Sequence, residues 1–166
     1  MARRFLLASL LATGCSLLLS CGFHLRGSVS VPPELAVTYL KGGSSAVVED
    51  LRQALLASGA QVTDDPDAAG ATIEVLHSNI GRRVLSVGST GKVQEYELRG
   101  LLRFRVVGAD GRELLPAQQV QVVRDFLYDP NNVLGVSSEE QLARREMQRD
   151  LVNLMMLRLQ AVDGRR

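Results

Sequence analysis

Hydrophobic positions along the chain change their period several times, and each change marks an element. Val47, Leu51, Ala54 and Leu55 recur at i, i+4, i+7 and i+8, which predicts an amphipathic helix from about Ala46 to Ser58. Gly42-Gly43-Ser44-Ser45 supplies N-cap candidates before it, and Gly59 ends it. Upstream, after Pro32-Pro33, Leu35 to Leu40 is a short run of β-favouring residues. Downstream, Asp64 to Gly70 reads as a polar turn, and two long strands follow. They span Ala71 to Val87 and Lys92 to Val107, with Gly88-Ser89-Thr90-Gly91 turning the chain between them. In the second, Tyr96, Leu98, Leu102, Phe104 and Val106 share one face, while Glu95, Glu97, Arg99, Arg103 and Arg105 share the other. Such alternation describes a sheet buried on one side and wet on the other.

Ala109-Asp110-Gly111 is a hairpin signal. The strand after it runs from about Leu114 to Tyr128, with Val120, Val122 and Phe126 pointing one way; Pro116 near its start implies an edge position or a bulge. Asp129-Pro130-Asn131-Asn132 breaks the sheet. Ser138 and Gln141 have the spacing of a capping box, opening a helix that reaches about Val162. Ala143, Met147, Leu151, Leu154, Met155 and Leu159 form its apolar stripe. The order is β-α-β-β-β-α. Two singly striped helices and a sheet with one buried face pack as an α+β two-layer sandwich, here a four-stranded mixed sheet with both helices on one face. One domain, residues 34–163, accounts for it.

The N-terminus follows another pattern. Arg3 and Arg4 precede a run from Phe5 to Leu19 without charge, the layout of a secretory signal over residues 1–20 and too short for a membrane span. Leu18-Leu19-Ser20-Cys21 matches a bacterial lipobox, with an aliphatic residue at −3 and a small one at −1. Cleavage there makes Cys21 the acylated first residue, and residues 21–33 a lipidated tether. Cys15 is the rival, but it lacks the aliphatic −3 residue and leaves an apolar run of about eight. A disulfide or buried free thiol is the structural alternative for Cys21, although the chain has just two cysteines and cleavage at either site leaves too few for an internal bridge. Gly22, where an acidic residue would signal inner-membrane retention, points to the outer membrane.

Composition excludes more than it suggests. Removing residues 1–20 takes away two arginines and no acid, leaving 17 basic residues against 18 acidic. That balance argues against a nucleic-acid binder. Gly42-Gly43-Ser44-Ser45-Ala46 departs from a nucleophile elbow at Ala46, and His77, the single histidine beyond Ser44, falls within a strand. A helix N-cap explains Ser44 instead. With Cys21 acylated, two histidines 53 positions apart offer no metal-ligand spacing, and no cofactor motif is present. No catalytic residue is expected; binding is what remains. Arg82, Arg83 and Lys92 flank the long hairpin turn, either as donors to phosphorylated head groups or as a solvated hairpin end.

Cys21-Gly-Phe-His-Leu-Arg26, Gln94-Glu95-Tyr96, Arg124-Asp-Phe-Leu-Tyr-Asp129-Pro130 and Glu139-Glu140-Gln141 leading into Glu146-Met147 occur in order along nearly the whole chain. Together they resemble the LptE family of lipopolysaccharide-assembly lipoproteins. The resemblance implies a non-enzymatic protein of the outer membrane, held on its periplasmic side through Cys21. It implies a role in plugging and helping to assemble the LptD β-barrel, about one-to-one, and in binding lipopolysaccharide on its way to the cell surface. The wet-face residues Arg99, Arg103 and Arg105 then become barrel-contact candidates, a merely solvated face being the alternative. The turn Gly-Ser-Thr-Gly carries no charge itself, so Arg82, Arg83, Lys92 and Arg124 are the lipopolysaccharide-binding candidates. The competing function is a free periplasm-facing lipoprotein that carries or senses another amphiphile, which needs a deep apolar cavity where the first reading needs a dry core.

Overall fold

The computed structural model describes residues 31–127 and 133–164; Cys21 with its lipobox, the tether up to residue 30, and the expected break at Asp129–Asn132 lie outside them. In chain order the elements are β1 (Val37–Gly42), α1 (Ser45–Ala57), β2 (Gln61–Thr63), β3 (Ala71–Val87), β4 (Val93–Gly108), β5 (Glu113–Leu127) and α2 (Val133–Leu159). Short 3-10 turns lie at Pro33–Leu35, Pro66–Ala68 and Gln160–Gly164.

The sheet has five strands, in the order β2-β1-β3-β4-β5, where the sequence predicted four. The added strand is β2, whose three residues are too few to display a period. It exists because α1 is the crossover that a parallel pair requires, returning the chain beside β1 with Val37 opposite Gln61. β1 is also parallel to β3, and β3, β4 and β5 form an antiparallel meander. The sheet is therefore mixed, as expected.

α1 is bounded at both ends by side-chain and backbone chemistry. The Ser44 hydroxyl accepts from the Val47 N–H at 3.4 Å. At the other end the Ala60 N–H bonds to the Leu55 carbonyl and the Gly59 N–H to that of Leu56, a Schellman arrangement that places Gly59 at φ 88°. The side chains of Leu55 and Ala60, which such a motif brings together, are both buried.

α2 starts earlier than the capping box implied: Ser138 lies inside the helix, which begins at Val133. Val133, Gly135 and Val136 are poor helix formers. Burial of Val136 supplies what propensity does not, so the first turn forms by packing. Pro116 behaves as predicted, on the sheet's edge strand and close to a register shift between Phe104 and Val106.

Both helices pack on one side of the sheet. Val47, Leu51 and Leu55 of α1 meet Leu151, Met155 and Leu159 of α2 over Ile73, Leu102, Phe104 and Val106. Gly100, in the middle of β4, lies directly beneath α2 side chains. A Cβ there would stand 3.0 Å from Leu151 Cδ1 and 3.4 Å from Met147 Cε. Gly100→Val is accordingly expected to lower folding stability by about 1–3 kcal/mol through overpacking. Gly81→Ala has only the Asn79 amide near its new methyl and should stay within about 0.5 kcal/mol. Urea denaturation of the unacylated chain checks both.

Candidate functional site

The helix-free face of the sheet carries most of the polar chemistry. Cross-strand register sets its residues in rows: His77, Arg103 and Gln119; Asn79, Leu101 and Gln121; Gly81, Arg99 and Val123; Arg83, Glu97 and Asp125. No described element covers these rows. Two buried or near-buried carboxylates organise the charges. Glu97 accepts two hydrogen bonds from Arg83, at 2.7 and 3.0 Å, and a third from Arg99 at 3.2 Å. Glu74 accepts from Lys41 at 2.9 Å and from Arg105 at 2.6 Å. The Arg83 hydrogen bond holds the Glu97 carboxyl below the usual carboxylate range, and Lys41 followed by Arg105 does the same for Glu74.

Two of the three barrel-contact candidates, Arg99 and Arg105, are thus committed within the chain. Arg103 is exposed, lies between His77 and Gln119, and has no ion pair among the described residues.

The lipopolysaccharide candidates do not gather into one cluster. Arg82 and Arg124 flank Leu98 in a single row on the helix side. Arg82 bonds to Glu140 at 2.8 Å and lies 4.5 Å from the centre of the Tyr96 ring. Arg124 grips Glu146 at 2.5 Å and Asp150 at 2.8 Å, and these partners raise its pKa further above neutrality. Burial works to raise Glu140, yet Arg144 and Arg82 outweigh it and hold it low. These contacts tie α2 to the hairpin. Arg83 points to the opposite face, and Lys92 sits exposed at the turn.

The hairpin end also has an apolar component that periodicity did not single out. Val84, Leu85 and Val87 of β3 and Leu127 of β5 are all exposed, Val87 at 60% and Leu127 at 75%. The signal was present, since Val84-Leu85 places apolar groups on both faces of one strand. Ser44 and His77 are kept apart: Ser44 borders a recess of about 320 Å³ on the helix side, beside Arg144 and Gln148. His77 borders another of about 290 Å³ on the helix-free face, beside Arg83 and Arg99. Both recesses are open and mix polar with apolar lining, Leu101 in one and Val47, Ile80 and Leu151 in the other, while Leu51, Leu55, Phe104, Met147 and Met155 are buried between the layers.

The carboxylate pairing has a pH consequence. A carboxyl whose folded pKa is depressed stabilises the fold above its unfolded pKa, and that contribution is lost as pH falls through the folded value. Stability should therefore decline as acid enters and passes below the usual carboxylate range. Glu97→Gln should be less stable at neutral pH and should show a shallower decline, as measured by thermal unfolding at stepped pH.

The chain matches the family model described as LptE, lipopolysaccharide-assembly, over residues 33–159. It is 28% identical over 147 residues to the LPS-assembly lipoprotein LptE of Pectobacterium atrosepticum, covering 87% of this chain and 79% of that protein. It is 26% identical over 163 residues to LPS-assembly lipoprotein LptE of Yersinia enterocolitica, covering 96% and 78%. Among solved structures it is similar to lipoprotein B of Nitrosomonas europaea, with 25% identity, a TM-score of 0.74, and coverage of 86% of this chain and 93% of that one. The rare lipoprotein B of Shewanella oneidensis shares the fold at a TM-score of 0.65 and 24% identity, covering 77% and 96%. With the two-layer sandwich and the ordered motifs along the strands and last helix, these matches establish that the chain belongs to the LptE family of lipopolysaccharide-assembly lipoproteins.

Proposed function

We propose that the chain is exported by its 1–20 signal and acylated at Cys21. It is held to the periplasmic side of the outer membrane by the 21–33 tether. There it seats its helix-free sheet face against the inner wall of an LptD-like β-barrel, about one-to-one, and aids that barrel's assembly. The role is binding rather than catalysis.

What supports this most is the asymmetry of the sheet. One face is packed under two helices, and the other presents rows of arginine, carboxylate and amide that stay uncovered. The interior of a large outer-membrane barrel is polar, so such a face suits it. Arg103, with its charge unpaired, is the residue best placed to meet an acidic wall. Among the described residues no helix is long and apolar enough to cross a membrane, so the single anchor would be the acylated cysteine.

Lipopolysaccharide is met at the hairpin end. Lys92 supplies a donor for phosphate, Arg83 does so only by giving up Glu97, and Val84, Leu85, Val87 and Leu127 supply an apolar surface for acyl chains. Arg82 and Arg124, engaged by α2, contribute there only by giving up Glu140, Glu146 or Asp150.

Cys21→Ala should abolish incorporation of radiolabelled palmitate and leave the precursor uncleaved on gels. Tagged chain extracted in mild detergent should bring down a large outer-membrane barrel in near-equal amount. Arg103→Glu should reduce that recovery by about tenfold, while leaving the melting temperature near wild type because Arg103 has no ion-pair partner among the described residues. Recovery of the chain alone from wild-type membranes would overturn the barrel reading.

A further inference from the structure

We propose that the outer edge of β5 is a self-pairing edge, through which two copies of this chain join antiparallel about a two-fold axis at Gln121. The proposal rests on the edge itself and is independent of the barrel reading.

Among the described residues three stretches of strand have no neighbour on one side: β2, β5, and the half of β3 beyond Val75, where β1 has ended at Gly42. Unpaired edges invite other strands, and folded proteins blunt them with short strands, charge, proline or bulges. β2 has just three residues. On β3, Arg144 Nη1 donates to the Ile80 carbonyl at 2.5 Å, and Arg82 and Arg83 follow along the strand. β5 is blunted at both ends, by Pro116 beside its register shift and by Arg124-Asp125.

Between those guards, Ala117-Gln-Gln-Val-Gln-Val-Val123 holds no charge, proline or glycine. From Gln118 to Leu127 it pairs with β4 without a shift, so this stretch presents a regular edge. Beyond the β4 ladder, no described backbone group hydrogen-bonds to residues 117–123. An uncharged window of this length and β-propensity is the kind that captures another strand.

The side chains favour a second copy as that strand. A two-fold axis normal to the sheet keeps each face on its own side. Centred on Gln121, it sets Val120 against Val122 twice on the helix side, and Gln119 against Val123 beside a Gln121–Gln121 pair on the other. Nothing of like charge is opposed. Centring on Gln119 would set Glu113 against Asp125, and centring on Val122 would set Val120 against Arg124. A single strand pair buries much less than the roughly 800 Å² per partner of a standard interface, so the dimer is weak and concentration-dependent.

The test uses the full chain from residue 21 with Cys21→Ser, followed by sedimentation equilibrium over a wide concentration range. A monomer–dimer equilibrium is expected. Gln121→Lys and Gln121→Glu, both at an exposed position, should each weaken it about fivefold by opposing like charges at the axis. Mixing the two in equal amounts should restore association through Lys–Glu pairs. A wild-type chain that stays monomeric overturns the proposal. So does self-association that survives both substitutions, or one that both abolish and the mixture fails to restore; circular dichroism of each variant separates this from misfolding.

Discussion

At Gly100 the centre of β4 has no side chain, and Leu151 and Met147 of α2 take the space above it. The contact of α2 with the sheet is built around that bare position. It brings α2 down onto the antiparallel meander, lets Met155 and Leu159 reach the layer of Phe104 and Val106, and leaves room for α1 to lie alongside. Ion pairs then set where along the hairpin the helix lies. Arg82 to Glu140 and Arg124 to Glu146 and Asp150 grip it on both sides of buried Leu98. Both helices lie on one face, and among the described residues no element covers the other.

That division decides which charges can serve a partner. On the helix-free face Glu97 and Glu74 each hold two cations, so Lys41, Arg83, Arg99 and Arg105 already have a partner inside the chain. The cation of each pair is partly exposed, which screens it and keeps the stability each adds modest. Their larger effect is to fix the orientation of long side chains across neighbouring strands, giving the face a defined pattern of donors and acceptors. Arg103 stands outside this pairing. At the hairpin end the pattern changes again, with exposed aliphatic groups beside Lys92, a combination suited to an amphiphile.

Much of this was legible in the sequence because period-two alternation in β4 is strong. Its two faces, the long hairpin with β3, and the stripes of both helices follow directly from residue spacing. What escaped had short-range or non-local causes. β2 spans three residues, too few for a pattern, and exists through the α1 crossover. The start of α2 depended on burial of Val136, which outweighed the Ser138–Gln141 spacing. The separation of Arg82 from Arg83 onto opposite faces was implicit in strand geometry. The partners of Arg82 and Arg124 on α2, however, lie 58, 22 and 26 residues away, and no local pattern reports them.

On the proposed seating the helix-free face, and not the outer helix surface, meets the barrel. A photoreactive residue placed at Arg103, and separately at the exposed Leu157 of α2, tests it in intact membranes. Irradiation should join the Arg103 variant to a large outer-membrane barrel and leave the Leu157 variant uncoupled, if that seating is right. Crosslinking from Leu157 with none from Arg103 would contradict it.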